Sequence, residues 1–148
     1  YKRQIEVPDQ AISKGKKFLL ECQDGRGGFG YTGNSGANLP RTAIGALILA
    51  LDKDTNSDAF KKSISYLREN ARFGDQGHKF YSLYYTAQAM FRSTPEDWNK
   101  WNLENVRQLQ AKQAENGSWN GNYGNTFPTS AALLSMALNY RYLPIYER

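Results

Sequence analysis

The chain has 148 residues, which is the usual length of one domain. Its 19 basic and 14 acidic residues leave a net charge of +5, too weak and too scattered to indicate a nucleic-acid partner. Hydrophobic residues make up 40% of the chain, which excludes an intrinsically disordered protein. No run of about 18 apolar residues occurs, so we predict no transmembrane segment.

Cysteine and histidine each occur once, as Cys22 and His78. One cysteine cannot form an intrachain disulfide, and the two residues together are too few for a zinc site. We therefore expect no metal and no cofactor. Because the chain begins at Tyr1 with neither Met nor a signal peptide, we also expect it to be a piece excised from a longer chain.

The apolar spacing predicts six helices and no strand. They are expected over about residues 8–22, 40–51, 57–67, 81–91, 95–109 and 128–140. Glycine-rich loops follow the first, third and fifth helices and prevent these helices from continuing. In the second helix, the residues at helical spacing on the expected packing face are Ile44, Leu47, Ile48 and Leu51.

The order helix, glycine loop, helix occurs three times. A threonine followed by a small residue lies near the start of each second helix, at Thr42, Thr86 and Thr129, in steps of 44 and 43 residues. The repeat units run over about residues 8–53, 57–93 and 95–140. Such a period predicts three helical hairpins that stack side by side within one domain covering residues 1–148, with the second helices as the inner layer.

The first and third units also share a motif at an offset of 90 residues. Gln23 and Gln113 end the first helix of their units, and Phe29 and Trp119 follow the glycines. A glutamine here is expected to bridge the unpaired ends of two helices while the ring packs on its amide. The second unit departs from the motif, because Ala71 stands where the glutamine would be.

The motif resembles the repeat of the terpenoid cyclase and protein prenyltransferase superfamily, also called the prenyltransferase and squalene oxidase repeat. That repeat reads basic-Gly, aromatic-Leu, three residues, Gln, and then Gly-x-Trp. Residues 14–29 fit it except that Phe29 replaces Trp, and residues 109–119 fit its second half. The resemblance implies three hairpins of an α/α toroid like that of squalene-hopene cyclase, about half of a full α6/α6 barrel.

The superfamily's catalytic residues have no counterpart in the chain. The cyclases place an Asp-x-Asp-Asp acid before the inner-helix Thr-Ala, whereas Pro40-Arg41, Tyr84-Tyr85 and Phe127-Pro128 stand before the three threonines. The prenyltransferases hold zinc with Asp, Cys and His. The resemblance therefore implies a non-catalytic module that binds a ligand or partner. The alternative is a fragment of an enzyme acting on an isoprenoid substrate, with its catalytic acids outside this chain.

Aromatic residues provide the first set of candidate binding residues. Tyr84 and Tyr85 lie near the head of an inner helix, and Tyr31 and Tyr123 lie in the loops before the other two. They could line a cavity that takes an apolar chain or stacks on a sugar, and they could equally be ordinary inter-helix packing.

Charged and titratable residues provide the second set. Arg41 stands where the cyclases have their acid, so it could bind an anionic group or pair with Asp75. His78 could form an acid–base pair with Asp75, although a lone histidine in a glycine loop is more often structural. The expected partners are an isoprenoid or other small molecule, the rest of a parent chain, and a second copy that covers the end faces.

Overall fold

The computed structural model describes residues 7–71, 78–122 and 124–140, and in these ranges it is all-α. Its six helices are α1 (Asp9–Glu21), α2 (Leu39–Leu51), α3 (Asp58–Asn70), α4 (Lys79–Phe91), α5 (Pro95–Lys112) and α6 (Thr126–Ala137), followed by a 3₁₀ turn at Leu138–Tyr140. The six helices expected from the spacing are confirmed. No helix in these ranges has the length and apolar character that crossing a membrane requires.

Side-chain caps fix where three of the helices begin. Asn38 accepts a hydrogen bond from the Arg41 amide at 3.1 Å at the start of α2. Ser57 and Thr94 cap α3 and α5 in the same way. These caps bond to helix amides that would otherwise have no partner. The residues next to each start therefore determine where these three helices begin.

Two packing relations repeat along the chain. The second helices lie in a row, with α4 in contact with both α2 and α6. The first helix of a unit packs on the second helix of the unit before it: α3 packs on α2, and α5 packs on α4. The second helices therefore form one row, and α3 and α5 each pack against the second helix that precedes them.

The core consists of two clusters of buried side chains. One lies between the first and second units and includes Phe29, Leu49 and Leu67. The other lies between the second and third units and includes Leu83, Leu109 and Trp119. The first cluster also contains Trp98 and Leu138 from the third unit. Since each cluster takes residues from more than one unit, no unit buries its apolar face alone.

The packing face predicted for α2 is wrong. Ile48 and Leu51 are 42% and 53% exposed, and Ile44 and Leu47 are half-buried. The buried face instead carries the small residues Thr42, Ala43, Gly45 and Ala46, together with Leu49. This face of α2 needs small residues because the Phe29 ring packs directly on Gly45. A Cβ added at Gly45 would be 2.6 Å from a ring carbon.

The turn after α1 and the turn after α5 are the same structure. In both, the residue after the glutamine donates its amide to a carbonyl four residues on, at 2.8 Å for Asp24 to Gly28 and 2.9 Å for Ala114 to Ser118. In both, the amide of the aromatic residue donates to the inner-helix threonine at 3.0 Å, Phe29 to Thr42 and Trp119 to Thr129. We call these two turns the first and third joints.

A left-handed glycine is common to both joints. Gly27 has φ 92° and Gly117 has φ 82°, a backbone region that other residues enter only with strain. The offset of 90 residues seen in the sequence is therefore a repeat of backbone conformation as well as of residue type.

The two glutamines behave differently. The Gln23 amide donates to the Ala59 carbonyl at 2.9 Å and to the Ser63 hydroxyl at 3.0 Å, so it ties the first joint to α3. Gln113 is exposed and donates to the carbonyl of Gly117 in its own turn at 2.9 Å. The predicted bridge between the unpaired ends of two helices is described for neither residue. Gln23 instead bonds to a carbonyl and a hydroxyl within the first turns of α3, and Gln113 bonds within its own turn.

Candidate functional site

Three tyrosines near the head of α4 form one aromatic group. The rings of Tyr81 and Tyr85 meet edge to face with centroids 4.9 Å apart, and those of Tyr84 and Tyr85 do so at 5.1 Å. One helix places all three because residues three and four apart share a face. Tyr81 is 40% exposed, whereas Tyr84 and Tyr85 are half-buried. The group therefore exposes the Tyr81 ring to solvent while the two half-buried rings are held by packing.

Burial raises the pKa of the Tyr85 phenol above its ordinary value of 10.0, and the neighbouring Tyr81 and Tyr84 raise it further. A phenol with a raised pKa stays protonated at neutral pH. The Tyr85 hydroxyl is therefore held in its protonated form, with a side-chain hydrogen bond to Tyr81.

A second group joins the Tyr31 loop to the head of α2. The guanidinium of Arg41 lies over the Tyr31 ring, 5.6 Å from its centroid, and one of its nitrogens donates to the Gly36 carbonyl. Its Nε is buried with no hydrogen-bond partner in the described part of the chain. Arg41 is thus held by its own loop, with cation–π contact to a ring that is 79% exposed.

The other sequence candidates are not drawn into these groups by any described contact. His78 lies at the start of α4 and is exposed. Asp75 and Tyr123 fall outside the described residues, so the pairs proposed between Asp75 and Arg41 or His78 stay predictions. Cys22 is buried in the core as a free thiol, as a small hydrophobic residue would be.

Sequence reasoning missed two buried hydroxyl groups on α4. Ser82 and Thr86 lie one helical turn apart, are 3% and 2% exposed, and have no hydrogen-bond partner among residues 7–71, 78–122 and 124–140. In the sequence, Thr86 stands out only by its place in the repeat. In the other two units the equivalent hydroxyl accepts the amide of the aromatic residue.

A surface groove of about 600 Å³ lies along α1, away from all of these residues. Its walls include Ile12, Lys16, Leu20 and Asp52. The Lys16 ammonium binds Asp52 and Asp54 at 2.7 Å and 2.8 Å, which ties α1 to the turn after α2. Among the described residues, none of the predicted site residues lines this groove.

The described residues hold no group of three or more His, Cys, Asp or Glu side chains that could bind a metal ion. Comparison of the chain with protein-family models, with curated protein sequences and with solved structures gave no match in any of the three.

The raised pKa of Tyr85 predicts a loss of stability at alkaline pH. The folded state holds this proton more tightly than the unfolded state, so the contribution is full below about pH 10 and falls as the pH rises further. Urea unfolding between neutral pH and the onset of alkaline denaturation should show a shallower pH dependence for Tyr85→Phe than for the wild type. A pH dependence that is the same in Tyr85→Phe and wild type would contradict the raised pKa of Tyr85.

Proposed function

We propose that the chain is a repeat module of the α/α-toroid kind found in terpenoid cyclases and protein prenyltransferases, and that it binds a ligand without catalysing a reaction on its own. The observation that carries this proposal is the recurrence of the joint. Residue types, backbone hydrogen bonds and left-handed glycines all return at an offset of 90 residues. A motif that is conserved within one chain in both sequence and conformation supports a stacked-hairpin array.

The aromatic residues support a ligand that is largely apolar. Tyr81, Tyr84 and Tyr85 offer ring faces and edges. Such a surface suits an isoprenoid chain, which carries little charge and gains from burial against rings. Arg41 and Tyr31 lie on the neighbouring second helix and the loop before it, where they could contact a polar end of the same ligand.

Binding of farnesol and farnesyl diphosphate to the purified chain tests the proposal. Calorimetry should show saturable binding that Tyr81→Ala weakens by about tenfold, since an exposed aromatic contact contributes on the order of 1–2 kcal/mol. Tyr140→Ala removes another exposed tyrosine outside the group and should leave the affinity unchanged.

Two results would count against the proposal. Affinity that is the same in Tyr81→Ala and wild type would remove the tyrosine group from the site. Turnover of squalene or a prenyl diphosphate by the chain itself would favour the enzyme alternative over the binding module.

A further inference from the structure

The first joint does more than turn the chain, because α3 lies against it. A Cβ added at Gly27 would be 2.4 Å from the Lys62 backbone, and one added at Gly28 would be 2.6 Å from the Tyr66 ring. Together with the two Gln23 bonds to α3, these contacts show how a joint receives the first helix of the next unit.

The third joint has the same conformation but receives no helix among the described residues. An added Cβ at Gly117 would meet only the Gln113 amide, at 4.0 Å. Next to this joint, α6 has an apolar face that is exposed to solvent. On this face Phe127, Leu133 and Leu134 are 46%, 53% and 38% exposed. We call the third joint and this face of α6 the trailing face.

Helix α1 carries the surface that such a joint receives. When Phe18-Leu19 is aligned with Tyr66-Leu67, the α3 residues that touch the first joint correspond to Ala11, Lys14, Gly15 and Phe18. Ser63 is fully buried in its joint, whereas Gly15 is exposed and has nothing within 4 Å of an added Cβ. Phe18, in the place of Tyr66, is 57% exposed.

The groove on α1 fits the same alignment. Phe60 and Ile64 of α3 are 4% and 3% exposed in the core that α3 shares with α2. Their counterparts on α1 are Ile12, which is 49% exposed, and Lys16, and both line the groove. The groove therefore lies where the second helix of a preceding unit would pack. We call the groove and the exposed α1 residues the leading face.

We propose that the chain associates head to tail with a second copy of itself, the trailing face of one copy holding the leading face of the next. The second copy is placed as the next unit would be if the repeat of the first copy continued. In that position α6 of the first copy packs in the α1 groove of the second. The same placement brings α1 of the second copy against the third joint and Gln113 of the first. The chain carries both the trailing face and the leading face. The contact between α3 and the first joint shows, within one chain, how two such surfaces pack together. The contact is independent of any ligand.

Head-to-tail contacts either close into a ring or continue as a chain of copies. Sedimentation velocity of the purified protein over a range of concentrations should show species of two or more copies. Phe18→Glu on the leading face and Leu134→Glu on the trailing face should each weaken association by about tenfold or more, because both put a charge into an apolar contact. Both side chains are exposed, so circular dichroism should show an unchanged fold.

A mixture of the two variants separates this geometry from other modes of association. Phe18→Glu keeps its trailing face and Leu134→Glu keeps its leading face, so mixing them should restore one contact and give a pair of two chains. Leu103→Glu changes a leucine that is 75% exposed on α5, outside both faces, and should associate as the wild type does. A wild-type protein that stays monomeric, a mixture that stays monomeric, or an equal loss in Leu103→Glu would overturn the proposal.

Discussion

Replacing Trp119 by alanine is expected to lower the free energy of unfolding by about 3–5 kcal/mol, the range for removing a buried aromatic side chain. Trp119 is 3% exposed and lies in the core between the second and third units. Its indole nitrogen also donates to the Leu109 carbonyl at 2.8 Å, close to the C-terminal end of α5. The alanine variant loses the ring and this bond, and leaves a cavity between two units.

Urea denaturation followed by circular dichroism measures this loss. Trp119→Phe is the matched variant, because the first joint carries Phe29 in the same place with 1% exposure. It keeps a ring and loses the indole bond, so its cost should be about 1–2 kcal/mol. If the alanine variant lost no more than the phenylalanine variant, the ring would not be holding the two units together.

Gly27→Ala is expected to be strongly destabilising, because backbone strain and a close backbone contact act at the same residue. Its φ of 92° is strained for alanine, and the new Cβ would come within 2.4 Å of the Lys62 carbonyl carbon and oxygen. Backbone cannot move aside as a flexible side chain can. We therefore expect a loss of roughly 3 kcal/mol or more, combining about 1–2 kcal/mol of backbone strain with the cost of overpacking.

Gly117→Ala separates the two causes, because it has nearly the same φ and lies in open space. It should cost about 1–2 kcal/mol, which is the backbone strain alone. Gly25→Ala, with ordinary φ and nothing within 4 Å of its Cβ, should have almost no effect. Equal unfolding free energies for the Gly27 and Gly117 variants would contradict the close approach of α3 to the first joint.

The same comparison revises what glutamine does in the third unit. The sequence predicted that both glutamines bridge the ends of two helices. Gln113 is exposed and bonds only within its own turn among the described contacts, whereas Gln23 reaches two atoms of α3. We therefore expect Gln23→Ala to destabilise the isolated chain more than Gln113→Ala does.

The sequence identified individual candidate residues of the site, but it did not predict most of the contacts between them. Spacing along one helix was enough to group Tyr84 with Tyr85, since neighbours on a helix face are set by its period. The sequence did not show that Arg41 is held by Gly36 and Tyr31, because that contact depends on the path of a loop. Nor did it single out the buried hydroxyls of Ser82 and Thr86, whose isolation depends on what surrounds α4.

The sequence by itself determined the number of helices, where three of them begin, and the register of the repeat. These features follow from caps, glycines and periodicity, which act over a few residues. Only the tertiary structure decided which face of α2 is buried and which of two equivalent joints receives a helix. Those outcomes depend on a partner surface distant in sequence: the Phe29 ring over Gly45 in one case, and α3 against Gly27 in the other.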